Sequence, residues 1–379
     1  MAFSFIHTGD LHLDSPLTGL AALEDERARD IARAGRHAFE DLVGIALERN
    51  VDAFLIAGDL WDGDWRDVSA GLFVQDQARR LRDAGIAVFA VLGNHDAASR
   101  VTDRIRHLDT LHVFSADEPQ SIPCGEAVIH GMSFAHREVR ENLAARYPPA
   151  TEGQINIGVL HTGLDGHRGH DPYAPCDVSD LAAKRYHYFA LGHVHTREVV
   201  LEAPAVDGGT IAYCGVLQGR HARETGVKGA YFVRIEGEKA SLEELNFHHV
   251  SWFNEPASVA GGTPAEKAVE SALHKVAGET SSKLTVVRLT LDGETDDHFA
   301  LETRRLALLE KARFVAGNLG GGLLVEKVVV GTAPIGEMPQ LPSGFDDYLR
   351  RAAGQEAVAD VARADIQAIL DALAKGHAQ

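Results

Sequence analysis

The chain of 379 residues contains little cysteine and no long apolar stretch, and each absence excludes a class of protein. Its three cysteines, Cys124, Cys176 and Cys214, are far apart and form no C-x-x-C pair, which argues against a disulfide framework and against a thiolate zinc site. No run of about 18 apolar residues occurs, and the N-terminus lacks a basic start followed by an apolar stretch. We therefore expect a cytoplasmic protein that is neither secreted nor inserted in a membrane.

Basic residues are also scarce relative to acidic ones. The 37 Lys and Arg residues are outnumbered by 55 Asp and Glu residues, which gives a formal net charge of −18 at pH 7. This charge argues against a protein that coats nucleic acid with its whole surface, so any contact with DNA must be local. With 45% hydrophobic and 24% charged residues, the composition is typical of a soluble globular protein.

Short apolar runs alternate with amphipathic helical patterns over the first 235 residues. Seven runs rich in β-branched or aromatic residues predict buried strands, at 3–7, 53–57, 86–92, 155–160, 188–191, 210–214 and 230–235. Residues 24–49 have apolar side chains every three to four positions, as an amphipathic helix requires, and residues 67–84 predict a second helix. The order strand, helix, strand indicates an α/β fold, which we predict to be a two-sheet sandwich flanked by helices.

A first domain is predicted over residues 1–250. The composition of the sequence changes at its end. Residues 251–264 contain Gly, Pro and Ser and are interpreted as a linker. Helix, strand, helix and strand patterns then follow one another, which predicts a small α+β domain over residues 258–334.

A helical tail is predicted after this small domain, over residues 344–376. Its apolar side chains recur with the spacing i, i+3, i+4 and i+7, at Ile366, Ile369, Leu370 and Leu373. An amphipathic helix needs a surface that covers its apolar face. The sequence leaves open whether that surface lies within the chain or on another protein.

Five short polar clusters each follow an apolar run directly. They are Asp10 with His12 in HTGDLHLD, Asp59 in LIAGDLWDGD, Asn94 with His95 and Asp96 in VLGNHD, His161 in GVLHTG, and His193 with His195 in LGHVH. Taken singly, each cluster has an ordinary explanation, such as a turn, a helix cap or a hydrogen-bonded buried histidine. Five clusters of carboxylate, amide and imidazole groups at strand ends, where α/β sheets bind ligands, indicate a metal site instead.

The order of these clusters resembles the five-part signature of the calcineurin-like metallophosphoesterases, across about residues 3–235. The start HTGDLHL, the loop GDLWDGDW and the small domain followed by a helical tail are similar to the SbcD-type DNA repair nucleases, especially their YhaO-like branch. The resemblance implies a metal-dependent phosphodiester hydrolase, and a DNA exonuclease or endonuclease subunit is the leading expectation. Two alternatives stay open, a phosphodiesterase or phosphatase of small or protein substrates and a non-catalytic metal-binding scaffold.

The resemblance further implies two divalent metal ions. One would bind Asp10, His12, Asp59 and His195, and the other would bind Asp59, Asn94, His161 and His193. Two neighbouring cations need a bridging carboxylate, here Asp59, and a shared hydroxide that can attack phosphorus. Carboxylate, amide and imidazole ligands suit manganese, iron or zinc, and the resemblance favours manganese.

His95 resembles the family's histidine that binds no metal and either stabilises the transition state or protonates the leaving group, with Asp96 to orient it. A structural hydrogen bond is the alternative role of His95. Asp14, Asp62 and Asp64 lie near the metals in the sequence and either bind metal or cap helices and close loops.

Several surrounding residues have two open interpretations. Trp61 and Trp65 either stack on a base or sugar or fix their loop to the sandwich. The local basic groups that either meet a phosphate backbone or form ordinary surface are Arg137, Arg140, His167, Arg168, His170, Arg220, His221 and Arg223. The resemblance also implies that the small domain caps the metal site, that the tail binds a coiled-coil ATPase of the SbcC type, and that the protein forms a homodimer.

Overall fold

The structure, a computed structural model, describes residues 2–15, 26–62, 68–98, 110–164, 172–320 and 322–335. The predicted helical tail lies outside these ranges. So do five of the residues singled out above, which are Asp64, Trp65, His167, Arg168 and His170.

The described residues form strands and helices in the following order. The strands are β1 (Ala2–Thr8), β2 (Ala53–Ala57), β3 (Ala87–Val91), β4 (His112–Val113), β5 (Gln120–Cys124), β6 (Ala127–Gly131), β7 (Ile155–His161), β8 (Tyr188–Gly192), β9 (Glu198–Leu201), β10 (Thr210–Tyr213), β11 (Lys228–Glu236), β12 (Lys239–Phe247), β13 (Val250–Ser258), β14 (Leu284–Asp292) and β15 (Leu323–Val330). The α-helices are α1 (Glu26–Arg49), α2 (Val68–Asp83), α3 (Val178–Ala182), α4 (Ala265–Glu279) and α5 (His298–Leu319). Single 3-10 turns occur at Asp96–Ala98, Ala144–Arg146, Ala205–Asp207 and Ala260–Gly262.

Two six-stranded mixed sheets form the body of the fold. The first has the order β12-β11-β1-β2-β3-β4, and the second has the order β5-β6-β7-β8-β10-β9. Strands β1 to β4 are mutually parallel, as are β6, β7, β8 and β10, while the remaining strands extend the sheets in antiparallel pairs. Because parallel neighbours share a direction, the carboxyl ends of the central strands lie along one edge of each sheet.

Apolar side chains from the facing sheets form the central core. Phe5 and Leu55 of the first sheet belong to the same buried cluster as Ile129, Ile157 and Tyr188 of the second. Strands β2, β7 and β8 are buried along their whole length, which explains their continuous apolar runs. Helices α1 and α2 cover the outer face of the first sheet, and the predicted two-sheet α/β sandwich is confirmed.

A third sheet, with the order β13-β14-β15, forms the smaller unit. Its strands are parallel and alternate with α4 and α5, so the unit predicted as α+β has an α/β arrangement. It has its own core, in which Leu273 and Leu308 of the helices pack with Val287 and Leu289 of β14.

The interpretation of residues 251–264 as a linker is wrong over β13. This strand pairs with β14 along its whole length, and most of its buried and exposed side chains alternate. Pro256 is tolerated because β13 is an edge strand, where a missing N–H leaves no partner unsatisfied.

The third sheet packs directly against the body of the fold. Trp252 of β13 lies in a buried cluster with Ile31 and Ala34 of α1 and with Ala222. Its indole N–H donates a hydrogen bond to the carbonyl oxygen of Gly219 over 2.8 Å. Among the helices that the structure describes, none has both the length and the apolar character needed to cross a membrane.

Candidate metal centre

All seven predicted metal ligands lie at the edge where the parallel strands of the two main sheets end. Asp10 and His12 follow β1, Asp59 follows β2, and Asn94 follows β3, while His161 ends β7 and both His193 and His195 follow β8. Six of them are at most 5% exposed, and the side chain of His195 is 21% exposed. The topology of the sheets therefore brings together residues that are up to 185 positions apart in the sequence.

Asp59 occupies the centre of this group. Its Oδ2 lies 3.7 Å from His12 Nε2 and 3.5 Å from His161 Nε2, so one carboxylate faces histidines from both sheets. Its Oδ1 accepts a hydrogen bond from the backbone N–H of His95 over 3.0 Å, which fixes the orientation of the carboxylate.

Asp10, His12 and His195 converge on one side of Asp59. His12 Nε2 and His195 Nε2 are 3.3 Å apart, and Asp10 Oδ1 is 3.9 Å from His195 Nε2. Both oxygens of Asp10 accept the backbone N–H of His193, over 3.1 and 2.9 Å. The Nδ1–H of His195 donates to Glu224 Oε1 over 2.8 Å, so in the neutral ring the lone pair of Nε2 faces the other ligands.

Asn94 and His161 converge on the other side of Asp59. His161 donates its Nδ1–H to the carbonyl oxygen of Ala57 over 2.9 Å, which leaves a lone pair on Nε2. That nitrogen lies 3.0 Å from Asn94 Oδ1 and 3.5 Å from Asp59 Oδ2. Three acceptor atoms thus point at one another with no proton between them. The ring of His193 lies beside that of His161, and the two ring centroids are 5.1 Å apart.

This crowding of acceptors fits divalent cations. Ligand atoms of Asp10, His12 and His195, and likewise of Asp10, Asp59 and His161, lie within 4.8 Å of one another. Burial and the charge of Asp59 raise the pKa of Asp10 well above its usual value and that of Asp96 to about 8. Arg220 and backbone N–H groups oppose these shifts but do not cancel them. Hard oxygen and imidazole donors are the ligands of manganese, iron and zinc.

Four of the converging residues have backbone conformations that side chains disfavour. The φ angles of Asp10, His12, Asp59 and His193 are 47°, 41°, 53° and 99°. Such conformations cost of order 1–3 kcal/mol each and cluster at functional sites. Close packing adds a further constraint, since a Cβ on Gly93 would lie 2.2 Å from Asp59 Oδ1.

The orienting contact to His95 comes from Asp62 and not from the predicted Asp96. His95 Nδ1 lies 2.9 Å from Asp62 Oδ1. Asp96 instead accepts the backbone N–H groups of Leu60, Trp61 and Gly93, over 2.8, 3.2 and 3.0 Å. Asp96 therefore ties the loops after β2 and β3 together, while Asp62 holds the ring.

The contact with Asp62 also favours the protonated form of His95. Burial by itself lowers the pKa of His95, but the hydrogen bond to Asp62 and the nearby carboxylates raise it overall. The same hydrogen bond is the main cause that lowers the pKa of Asp62 to about 2. At neutral pH the pair thus consists of a carboxylate and an imidazole with increased affinity for a second proton.

Several of the remaining side chains have structural contacts that favour one of their two interpretations. Trp61 is 1% exposed and packs in the core under α1, which favours the role of fixing its loop. Asp14 binds Arg36 of α1 over 2.8 Å and so closes a loop. Arg220 is largely buried in an ion pair with Glu224 and does not form open surface. The other described basic groups named above are exposed, and they are Arg137, Arg140, His221 and Arg223.

The chain belongs to the calcineurin-like phosphoesterase family. The profile of this family matches residues 3–197, just over half of the chain and the part that contains every converging residue. A second profile, described as the middle domain of the metallophosphoesterase YhaO, matches residues 262–333, within the smaller unit.

Curated relatives agree with this assignment. The uncharacterized metallophosphoesterase YhaO of Bacillus subtilis is 36% identical over 302 residues, which cover 76% of this chain and 72% of the relative. The DNA double-strand break repair protein Mre11 of Sulfurisphaera tokodaii is 27% identical over 256 residues, or 64% of this chain and 62% of the relative, so the chain spans less than two thirds of that protein. A dimetal phosphatase from Danio rerio is 14% identical, covers 64% of this chain and 95% of its own, and has a TM-score of 0.40.

Proposed function

We propose that the protein hydrolyses phosphodiester bonds in DNA with two divalent metal ions. The observation that carries the proposal is the convergence of two sets of acceptor groups on Asp59, at the edge where the parallel strands of both main sheets end. Membership of the calcineurin-like phosphoesterases supports hydrolysis of phosphoesters. The name of the Mre11 relatives, DNA double-strand break repair protein, supports DNA as the substrate.

The proposed ligands form two sets that share Asp59. One set consists of Asp10, His12, Asp59 and His195, and the other of Asp59, Asn94, His161 and His193. Metal ions bound there would lower the pKa of a shared water and neutralise charge on the phosphate. The chain itself aims the donors, because Ala57 and Glu224 bind the Nδ1–H groups of His161 and His195. We propose manganese as the metal, in keeping with oxygen and imidazole donors.

In this proposal His95 acts on the leaving group. Asp62 binds Nδ1 of His95 and stabilises the doubly protonated ring, so Nε2–H is available as an acid. The side chain of His95 is 29% exposed, more than those of the proposed ligands, as contact with a substrate requires. Transfer of this proton to the leaving oxygen prevents the build-up of an alkoxide.

A protein partner would resolve the conflict between DNA and the negative charge of the chain. The net charge of −18 opposes DNA binding over the whole surface. We propose that a coiled-coil ATPase of the SbcC type binds residues 344–376 and provides the surface that binds DNA. The proposal includes a homodimer and a cytoplasmic location.

Hydrolysis by protein stripped of metal and resupplied with manganese tests this function. The substrates are end-labelled linear duplex DNA, single-stranded DNA and bis-p-nitrophenyl phosphate, each also treated with the His161→Ala variant. We expect manganese-dependent shortening of DNA that is abolished in the variant, because His161 is fully buried and provides one of the two imidazoles that face Asp59.

Other outcomes would favour the alternatives. Cleavage of the small diester with intact DNA, in the presence of the ATPase as well, would indicate a phosphodiesterase of small or protein substrates. Absence of hydrolysis together with no uptake of metal on titration would indicate a scaffold. Near-normal hydrolysis by His161→Ala would show that the two-metal assignment is wrong.

A further inference from the structure

Glu224 is a buried carboxylate that contacts the metal centre through His195. It is 5% exposed, and its Oε1 accepts the Nδ1–H of His195 and a guanidinium N–H of Arg220, each over 2.8 Å. Its Oε2 accepts the backbone N–H of Arg220 over 2.8 Å and the side-chain Nε–H over 3.3 Å. Both oxygens are thus fully engaged, which leaves the carboxylate a single orientation.

Arg220 extends these contacts toward His95. Its Nη1 donates to the hydroxyl of Ser15 over 3.2 Å and lies 3.8 Å from Asp62 Oδ2. The Ser15 hydroxyl in turn donates to Asp62 Oδ2 over 2.7 Å. One guanidinium, only 16% exposed in its side chain, therefore lies between two carboxylates, each of which binds a histidine of the site.

The backbone beside Arg220 is anchored from the third sheet. Gln218 donates its side-chain N–H to the carbonyl oxygen of Val250 over 2.8 Å, and Trp252 donates to that of Gly219. Ala222, between the two charged residues, is buried against α1. Arg220 and Glu224 thus have a rigid support, and the ion pair is not a mobile surface contact.

We infer that Glu224 and Arg220 are positioning residues, and that Glu224 sets the affinity of the metal position that contains His195. The inference rests on the proposed metal binding by Asp10, His12, Asp59 and His195. A carboxylate on Nδ1–H fixes the tautomer of a ligating histidine and makes Nε2 a stronger donor, and loss of such a partner typically weakens metal binding 10–100-fold. Arg220 keeps the carboxylate in place and offsets its charge.

Calorimetric titration of manganese into the metal-stripped full chain tests the inference without reference to turnover. The wild type is expected to bind two manganese ions. In Glu224→Gln, binding at one position should weaken about 10–100-fold while the other position is unchanged. The matched control is Glu243→Gln, which breaks an ion pair with Arg49 on the far edge of the first sheet and should leave both affinities unchanged.

A second variant tests the same contact in case Glu224→Gln does not fold. Arg220→Lys keeps a positive charge but loses the paired hydrogen bonds to Glu224, so the same position should weaken by a smaller factor. Weakening of both positions to the same extent would indicate a merely structural role and would overturn the inference, as would unchanged affinities in both variants.

The manganese titration distinguishes failure of this inference from failure of the proposed function. A wild type that binds no manganese would overturn the two-metal assignment itself. A wild type that binds two ions but leaves DNA intact, in the presence of the ATPase as well, would remove DNA as the substrate, and a selective loss in Glu224→Gln would still support the positioning role.

Discussion

At the scale of single residues, His7 is a histidine of the core that the metal centre does not use. It is fully buried between the sheets, where its Nδ1 accepts the hydroxyl of Tyr188 over 2.9 Å and its Nε2–H donates to the carbonyl oxygen of Leu191 over 3.1 Å. Burial lowers the pKa of His7 from 6.5 to about 3. Because the unfolded chain takes up a proton near pH 6.5 and the folded chain does not, the contribution of His7 to stability is lost as pH falls from 6.5 toward 3.

We expect this effect to be measurable as a difference between variants. Relative to neutral pH, His7 should lower the free energy of unfolding at pH 5 by about 2 kcal/mol. In His7→Gln that part of the pH dependence should be absent, whereas His274→Gln on the exposed face of α4 should keep it. Urea unfolding at pH 7.5 and 5 measures the difference, and equal pH dependence in the wild type and His7→Gln would contradict it.

The sequence predicted which residues converge but not how they are held. Asp10, His12, Asp59 and the later clusters stand out because each follows an apolar run directly. Asp96 was expected to orient His95 because it is the next residue in the sequence, but its carboxylate accepts three backbone N–H groups, and Asp62 contacts the ring of His95. Glu224 carried no signal, because its contact with His195 spans 29 positions and depends on the path of the chain between β10 and β11.

At the scale of elements, α5 shows two opposite apolar surfaces. Leu308 is 2% exposed in the core of the smaller unit, whereas Phe299, Leu306 and Phe314 are 65%, 65% and 66% exposed. A helix that is apolar on one side only would show a clear amphipathic pattern, and α5 does not. The helix therefore offers two leucines, two positions apart, in contrasting surroundings.

This pair gives a matched test of the packing. Leu308→Ala removes buried methyl groups and should lower the free energy of unfolding by about 2–5 kcal/mol. Leu306→Ala should change it by less than about 0.5 kcal/mol, because the side chain already contacts water. Chemical denaturation of both variants measures the two values. A comparable loss in both would mean that the exposed surface of α5 is covered in solution.

Most of the strands that are buried along their whole length were predicted from the sequence, and β6 is the exception. Strands β2, β7 and β8 were predicted to within one residue at each end, since fully buried strands have unbroken apolar runs. The strands that were missed include β4, β5 and β9, which are short, lie at sheet edges and are partly exposed. Strand β13 was taken for a linker because Asn254, Pro256 and Ser258 on its exposed side are typical of loops.

At the scale of the whole molecule, Trp252 is a buried contact between the two units. Its ring fills the space between the third sheet and α1, and its N–H satisfies the carbonyl oxygen of Gly219, next to Arg220. Trp252→Ala should therefore lower the free energy of unfolding by about 3–5 kcal/mol. Trp252→Phe keeps most of the ring but loses one of the two side-chain hydrogen bonds to the carbonyl oxygen of Gly219, which Gln218 still donates to over 3.1 Å, and should cost about 0.5–1.5 kcal/mol. Urea unfolding checks the order of the two effects, and a larger loss in Trp252→Phe would contradict it.

The connection before β13 is short, which limits the exchange of the smaller unit between relatives during evolution. Only His248 and His249 separate β12 from β13, and the new strand turns at once onto α1. A chain cut at residue 250 would leave Ile31, Ala34 and Ala222 facing water. The two units are therefore not interchangeable modules. A smaller unit transplanted from a distant relative would need a matching α1 surface, so substitutions on either side of this contact should be inherited in pairs.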